Sequence, residues 1–284
     1  MTQSGSVALP LPVAIQSIVA KFSPRPEVKA IALGGSRRSG FADAESDFDI
    51  YVFVDYEIAL PIRRELAVRF DPTPEINNTW WGPGDEWADQ TSGTAVDLVY
   101  FESAPFLHQL RGVIERHQPS RGYSTSFWFT VAHANPLFDR HGWFAEAQRL
   151  AASPYPEQLR RAIVRFNHPL LRSTRSCYRH QIELACNRID PVGVQNRTSE
   201  MLVSVFDIVF AINRTLHPGE KRQLAHVASL GTAVPSDFDK LVRTLIRSTA
   251  DPDPITVIKN VDALCDVVDS MIETAGLEHE ALLT

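Results

Sequence analysis

The stretch LGGSRRSGFADAESDFDIYVFV, residues 33–54, decides how the first half of the chain is interpreted. An apolar run ends at Gly34-Gly35, and Ser36 opens the segment that follows. A second apolar run starts with Asp47 and Asp49, which are separated by one residue. Because successive side chains of a strand point to opposite faces, these two carboxylates share one face. The stretch therefore predicts a strand, a glycine turn and a second strand with paired acids at its start.

The glycine turn is suited to binding a phosphate group. Glycine lets the backbone approach a bulky anion with its N–H groups pointing outward. Ser36 adds a hydroxyl donor, and a helix N-cap and a phosphate contact are both compatible with it. Arg38 can contact a triphosphate, but a solvated turn explains it equally well. The segment is not a Walker A loop, because neither GKS nor GKT follows the glycines.

The paired acids indicate a metal site. Two carboxylates on one face repel each other, and a divalent cation removes that cost. Mg²⁺ prefers oxygen ligands, usually one or two carboxylates together with phosphate oxygens and water. Asp97 is the candidate third carboxylate, because it is a single acid within the apolar strand AVDLVYF. Three acids, two metal ions and a phosphate-binding turn indicate two-metal phosphoryl or nucleotidyl transfer.

This set of motifs resembles the nucleotidyltransferase superfamily, which includes DNA polymerase beta and the aminoglycoside nucleotidyltransferases. The family signature is GG or GS, then [DE]-h-[DE]-h after a gap, then a third acid on a later strand. Here it is matched by Gly34-Gly35-Ser36, Asp47-Phe48-Asp49-Ile50 and Asp97, within residues 28–103. The resemblance implies transfer of a nucleoside monophosphate from a nucleoside triphosphate, with release of pyrophosphate. ATP is the default donor, by its frequency and not because of any residue here.

The resemblance also implies a role for each matched residue. Asp47 and Asp49 bind two Mg²⁺ ions, and Asp97 binds the catalytic ion. The turn that begins at Gly34 holds the β- and γ-phosphates of the triphosphate at Gly35 and Ser36. Asp97 is one candidate for the base that deprotonates the acceptor hydroxyl, and the identity of that base stays open.

The pattern along the chain predicts an α+β fold of two domains. Residues 1–150 are expected to form the nucleotidyltransferase domain, with a small mixed β-sheet, and residues 151–284 an all-helical bundle. The predicted strands are VKAIALGG, DFDIYVFV and AVDLVYFES. The tryptophan-rich segment NNTWWGPGDEW and residues 123–153 are expected to be loops. By the resemblance, the helical domain closes over the substrate.

A second, weaker motif lies in the back half of the chain. FAINRTLHPGEKRQL, residues 210–224, is similar to a stretch found in uncharacterised and antibiotic-modifying members of the superfamily. In members of the superfamily, a lysine of the helical domain often contacts the triphosphate. Lys221 is therefore a candidate for that contact. The alternative is a cation at a helix C-terminus, where positive charge is also favourable.

A few acidic and aromatic residues are candidates for an acceptor pocket. Trp81 and the neighbouring tryptophans can form a wall of the pocket, although core packing is the more common role of tryptophan. Glu75 precedes this segment and is a possible fourth carboxylate. Asp207 lies among apolar residues on a predicted helix, and Glu183 lies on another. Each can face a cleft or simply face solvent.

The acceptor is expected to be a small hydroxylated molecule of the aminoglycoside or lincosamide type, and a role in antibiotic resistance would follow from it. The net charge of −6 is compatible with attraction of a polycationic molecule. Two other enzyme functions stay open: transfer of AMP to a protein, and nucleotide addition to tRNA, as in antitoxin and toxin members. The tRNA function requires a basic groove, for which only the arginines at residues 160–179 are candidates. A catalytically inactive nucleotide-binding protein is disfavoured, because all three acid positions are filled.

The composition indicates the broad class of protein to which the chain belongs. Cys177, Cys186 and Cys265 form no CxxC pair, which is typical of a reduced cytoplasm and gives no zinc or disulfide framework. The N-terminus lacks a charged signal-peptide region, and no apolar run approaches about 18 residues. Absence of a Lys/Arg block argues against bulk nucleic-acid binding, although a small RNA substrate is not excluded. A cytoplasmic protein without a membrane partner is therefore expected.

Overall fold

The computed structural model describes residues 11–34, 47–80 and 82–281. Four residues of the predicted site lie outside these ranges: Gly35, Ser36, Arg38 and Trp81. The chain forms two compact units, the first comprising Met1–Gln109 and Thr130–Ala152, the second Leu110–Phe129 and Ser153–Thr284. Among the described residues, no helix has the length and apolar character needed to cross a bilayer.

The strands of the described ranges form one mixed sheet in the first unit. They are β1 (Val28–Leu33), β2 (Phe48–Val54), β3 (Glu75–Asn78), β4 (Gly84–Asp89), β5 (Thr94–Glu102) and β6 (Asn135–Asp139). Their order in the sheet is β3-β4-β5-β2-β1-β6. β2 and β5 run parallel, and the other neighbouring pairs run antiparallel. The predicted α+β class, with a mixed sheet and a helical C-terminal part, is confirmed.

The α-helices of the described ranges follow in chain order. They are α1 (Val13–Phe22), α2 (Leu60–Ala67), α3 (Ser103–Ile114), α4 (Ser126–His133), α5 (Trp143–Ala151), α6 (Glu157–Arg172), α7 (Tyr178–Asn187), α8 (Pro191–Ile212), α9 (Gln223–Ala228), α10 (Phe238–Ser248), α11 (Pro254–Thr274) and α12 (Glu278–Ala281). Two of the long helices begin at an Asp-Pro pair. The carboxylates of Asp190 and Asp253 accept N–H bonds from Gly193 and Thr256, which caps α8 and α11.

The two faces of the sheet are covered differently. One face of β2 and β5 packs against α1 and α2, and its buried side chains include Ile50, Val52, Val96 and Leu98. On the other face, Phe53 lies 4.9 Å from Phe106 and 5.2 Å from Phe144, measured between ring centroids. Toward the start of β2 this second face carries Asp49 instead of an aromatic ring. The position of the acids is therefore set by the alternation along β2.

The prediction of a loop is wrong for two segments. Residues 123–153 contain α4, β6 and α5, and the segment NNTWWGPGDEW contains the end of β3 and the start of β4. Both segments are interrupted by glycine, proline and polar residues, which hide the period of the underlying elements. β6 pairs with β1 and β3 pairs with β4. These strands exist because of pairing with distant parts of the chain.

The second unit is a helical bundle with α8 in its core. Most residues from Met201 to Ile212 are buried, and α6, α7, α10 and α11 supply side chains to the same core. The spacing of Arg172, Arg175 and Arg179 predicts that they share one helical face, which is wrong, because residues 173–177 separate α6 from α7 and place Arg172 and Arg179 on different helices. Both arginines pair with aspartates of α11. Arg172 lies 2.7 Å from Asp266, and Arg179 lies 2.7 Å from Asp262.

Candidate functional site

Four carboxylates lie side by side across four neighbouring strands. Asp49 of β2 is in register with Asp97 of β5. On the other side of β5, Asp97 is in register with Glu86 of β4, and Glu86 with Glu75 of β3. Residues in register share a face of the sheet, and adjacent strands are about 4.8 Å apart. The structure thus makes Asp49 and Asp97 direct neighbours and extends the row through Glu86 to Glu75.

Gly34 lies next to this row on the β1 side. Its N–H donates to the carbonyl oxygen of Asp49 over 2.9 Å. A Cβ on residue 34 would lie 2.0 Å from Cε2 of Tyr51, so the tyrosine ring occupies the space a side chain would need. Tyr51 follows Asp49 by two residues and shares its face of β2. The first glycine of the motif is therefore required by the close approach of the Tyr51 ring.

A cavity of about 450 Å³ is lined by three members of the row, Asp97, Glu86 and Glu75. Its lining comprises Asp47, Thr73, Glu75, Glu86, Trp87, Ala88, Ala95, Val96 and Asp97. Asp47, Glu75 and Glu86 are exposed to solvent, so charged ligands can reach them directly. A volume of this size is within the range of small-molecule sites, about 300–1,000 Å³. The structure thus brings Asp47, Asp97 and Glu75, three residues predicted separately, to a single cavity of the first unit.

The donor set fits Mg²⁺ in chemical type. Within residues 11–34, 47–80 and 82–281, no three His, Cys, Asp or Glu side chains are gathered closely enough to hold a metal ion. The backbone register nevertheless aligns carboxylates on one face, and carboxylate oxygens are the ligands that Mg²⁺ prefers. Rotation between side-chain rotamers moves carboxylates without any change of the backbone. Asp49 and Asp97, on adjacent strands, are the pair best placed to share an ion.

The face of β4 opposite Glu86 is fixed by a buried ionic network. Asp85 accepts hydrogen bonds from Arg63 Nε at 2.9 Å, from Tyr100 Oη at 2.7 Å and from the N–H of Asn77 at 2.9 Å. Arg63 also stacks on the Tyr100 ring, with Cζ 4.2 Å from the centroid. Burial, and next the charge of Asp85, raises the pKa of Tyr100. This network connects α2, β3, β4 and β5 behind the carboxylate row.

Asp207 occupies the interior of the second unit. It is 1% exposed, and its carboxylate accepts bonds from Ser124 Oγ at 2.6 Å, the Ser124 N–H at 3.0 Å and Asn167 Nδ2 at 3.1 Å. Burial raises the pKa of Asp207 to about 7, and the bonds from Ser124 and Asn167 oppose that rise. The carboxylate therefore connects α8 to α6 and to the segment before α4.

The substitution Asp207→Asn is expected to remove a pH dependence of stability. In the unfolded chain this carboxyl ionises near its ordinary pKa of about 4, so the native state binds more protons between about pH 4 and pH 7. Wild-type stability should fall relative to that of the variant as pH rises through this window, by about 2 kcal/mol between pH 5 and pH 7. Above about pH 8 the difference should be constant. Urea unfolding of both proteins at several pH values measures it, and parallel curves would contradict the assignment.

The remaining predicted residues also belong to the second unit. Glu183 on α7 is partly exposed, and its Oε2 lies 3.5 Å from Nη1 of Arg179. Lys221 is exposed in the turn that precedes α9. The alternative of a helix C-terminal cation is therefore wrong for Lys221, because α9 begins two residues later. Contact of Lys221 with a triphosphate stays a prediction.

Glu86 is the site residue that sequence reasoning missed. It lies in GDEWAD, where buried Asp85, Trp87 and Asp89 alternate with the more exposed Glu86 and Ala88. That alternation is the signal of a strand with one buried face, and it could have identified β4. The signal was masked by Gly82-Pro83-Gly84 and by aspartates at buried positions, which are uncommon in strand interiors.

Comparison with known proteins finds a weak similarity to a solved structure. No model of a known protein family matches the sequence, and no curated protein matches it. Among solved structures, the chain is similar to a nucleotidyltransferase-like protein from Exiguobacterium sibiricum. The identity is 12%, the TM-score is 0.44, and the match covers 95% of this chain and 77% of the other. A similarity of this size does not extend to activity or substrate.

Proposed function

We propose that this protein is a Mg²⁺-dependent nucleotidyltransferase that moves a nucleoside monophosphate from a nucleoside triphosphate, by default ATP, to a hydroxyl of a small molecule. The observation that supports the proposal is the register of Asp49 with Asp97, with Gly34 bonded to Asp49 and with Asp97 also lining a cavity. Three described residues of the sequence motif thus lie on neighbouring strands. If Asp97 were only a solvent-facing acid of an edge strand, or if Asp47 and Asp49 only belonged to a solvated turn, nothing would require these residues to lie on neighbouring strands.

In this proposal the acids of the row have different roles. Asp47, Asp49 and Asp97 hold two Mg²⁺ ions, which when bound activate the attacking oxygen and stabilise the leaving pyrophosphate. The turn that starts at Gly34 orients the triphosphate through backbone N–H groups, with Ser36 as a further donor. Asp97 is placed one strand from both Asp49 and Glu86, so it is the acid nearest to where an acceptor hydroxyl would meet the phosphate.

The small-molecule acceptor is favoured over the other two acceptor classes by charge. Three of the arginines that could form an RNA groove are paired with acids: Arg172 with Asp266, Arg179 with Asp262 and Arg165 with Glu280. Phosphate contacts need cations that are available to the nucleic acid. The exposed charges of the cavity are instead acidic, which suits a neutral or cationic acceptor such as an aminoglycoside- or lincosamide-type molecule.

Calorimetric titration of ATP and of GTP in the presence of Mg²⁺ tests the proposal. Wild-type protein should bind at least one of them, and the variant Asp47→Asn/Asp49→Asn should lose the metal-dependent part of the binding. The matched control is Glu102→Gln, which changes an exposed acid at the far end of β5 and should bind like wild type. If neither nucleotide binds, or if the double variant binds like wild type, nucleotidyl transfer is excluded and a scaffold function becomes the better account.

A further inference from the structure

The second unit carries a groove of about 550 Å³, to which the carboxylate row contributes no residue. The floor of the groove is apolar and is formed by two helices. Leu202, Val203 and Phe206 of α8 lie on one side, and Val242 and Ile246 of α10 lie on the other. The proposed nucleotidyl transfer uses none of these residues, so the groove requires an explanation of its own.

The side of the groove that belongs to α8 has the spacing of one helical face. Ser199, Leu202, Val203 and Phe206 stand at positions i, i+3, i+4 and i+7. Seven residues of helix rise about 10 Å, which is roughly two turns. Leu202 and Val203 are only partly buried, and Ile246 on the opposite side is 47% exposed. The groove is therefore an apolar strip about two turns long that is open to solvent.

The walls of the groove are held in place by close packing. The Phe206 ring packs edge-on against Phe238, with 6.0 Å between the centroids. A Cβ on Gly122 would lie 1.9 Å from Cγ1 of Val203, so the turn that carries Tyr123 rests directly on α8. Tyr123 itself lines the groove. A surface that is already ordered loses little conformational freedom when it is occupied, which favours binding.

The rim of the groove is basic, although the chain as a whole has a net charge of −6. Lys240, Arg243 and Arg247 stand at i, i+3 and i+7 of α10 and share one face. Arg243 contacts Asp239 through Nε over 2.8 Å, but a guanidinium has about five N–H donors and can contact a further carboxylate. Within residues 220–247, the exposed cations are Lys221, Arg222, Lys240, Arg243 and Arg247, and the exposed acids are Glu220, Asp237 and Asp239.

We infer that this groove binds an acidic amphipathic α-helix of a partner protein. The apolar stripe of that helix packs on the floor between α8 and α10, and its carboxylates contact the cations of the rim. A trough two turns long matches the anchors at i, i+3 or i+4, and i+7 that helices present to such grooves. The inference concerns the second unit and does not depend on nucleotidyl transfer.

The charge and the floor of the groove disfavour two other occupants. In a symmetric dimer the same patch contacts itself, so a second copy of this chain would place one basic rim against the other. Single-stranded RNA binds through aromatic platforms that stack on its bases. The floor is instead mainly aliphatic, and its phenylalanine, Phe206, is buried.

Fluorescence anisotropy with three labelled probes tests the inference. The first probe is a synthetic peptide of about 18 residues, long enough for partial helicity, with leucine and alanine on one face and glutamate on the other. The second probe has lysine in place of every glutamate, and the third is single-stranded oligouridine. Wild-type protein should bind the acidic helix with a micromolar Kd, at least about tenfold more tightly than either other probe.

Two variants of the groove should weaken binding of the acidic helix. Ile246→Asp places a carboxylate on the exposed part of the apolar floor and should raise the Kd about tenfold or more. Arg243→Gln/Arg247→Gln removes two charges of the rim and should raise the Kd about threefold or more. The substituted side chains are exposed, so both variants should keep the wild-type Tm.

Matched controls change the same residue types outside the groove. Ile255→Asp alters an isoleucine that is 80% exposed at the start of α11 and does not line the groove. Arg64→Gln/Arg69→Gln removes two exposed arginines in and directly after α2, in the first unit. Both controls should bind the acidic helix as tightly as wild type does.

Each contrary outcome overturns the inference. It fails if the acidic helix does not bind, if the lysine helix binds as tightly, or if Ile246→Asp binds like wild type or no worse than Ile255→Asp. Tighter binding of oligouridine, or of phosphatidylserine vesicles in a sedimentation assay, would make the groove a nucleic-acid or membrane surface instead. Wild type and Ile246→Asp should also have the same mass in analytical ultracentrifugation. A wild-type dimer that Ile246→Asp converts to monomers would make the groove an interface between copies.

Discussion

The double substitution Asp49→Asn/Asp97→Asn should lower nucleotidyl transfer about 10³-fold or more. Asparagine keeps the shape of aspartate but removes the two negative charges that adjacent strands place side by side. The metal ions that these charges would hold contribute several kcal/mol to stabilisation of the transition state, and each 1.36 kcal/mol corresponds to about tenfold in rate. Transfer of AMP to water, followed as pyrophosphate release from ATP, provides a measurement that does not depend on the acceptor.

The control for this experiment lies on the same strand. Glu102→Gln removes an exposed charge at the C-terminal end of β5, far along the strand from Asp97, and should leave pyrophosphate release within about twofold of wild type. Equal Tm values would show that the double variant is folded. Pyrophosphate release by the double variant within tenfold of wild type would mean that the paired acids do not hold the catalytic ions.

The substitution Asp85→Ala should produce the largest loss of stability in the first unit, about 3–5 kcal/mol in the free energy of unfolding. Asp85 is 1% exposed and Arg63 is 2% exposed, so removal of the carboxylate leaves a buried guanidinium without its main partner. The Tyr100 hydroxyl and the Asn77 N–H lose their acceptor at the same time. Urea unfolding followed by tryptophan fluorescence measures the change.

Two further variants distinguish the loss of stability caused by an uncompensated buried charge from the loss caused by poorer packing. Arg63→Met/Asp85→Leu replaces both partners by apolar groups and should recover part of the stability, because no charge is left uncompensated. Arg243→Met breaks an exposed ion pair with Asp239 and should cost less than about 1 kcal/mol. The network would be shown to be unimportant if Asp85→Ala cost no more than Arg243→Met, or if the double variant were less stable than Asp85→Ala.

The Arg63–Asp85 network also bears on the site, because it fixes the hairpin that carries Glu86. The register of β3 with β4 shifts at Asn77, whose N–H is bonded to Asp85. A variant that loses Asp85 should therefore also lose the hydrogen bond from Asn78 Nδ2 to Glu86.

Local sequence patterns were sufficient for the central strands and for the motif. β1, β2 and β5 are apolar runs with clear ends, and each was predicted close to its observed bounds. The spacing of Asp47 and Asp49, with one residue between them, follows directly from the two-residue period of a strand. The glycines were predicted to allow the approach of a phosphate, whereas the structure shows that the space beside Gly34 is occupied by the Tyr51 ring. These features depend only on neighbours in the chain.

The tertiary structure decided the rest of the site. The pairing of Glu75 with Glu86 and of Glu86 with Asp97 is a matter of strand register, which depends on contacts between segments that are distant in sequence. Burial of Asp207 likewise depends on which helices pack around α8. The amino-acid sequence by itself determined which residues are candidates for binding a metal ion and a phosphate. Only long-range pairing determined which further carboxylates join them, because a side chain acquires its neighbours from the sheet and not from its own strand.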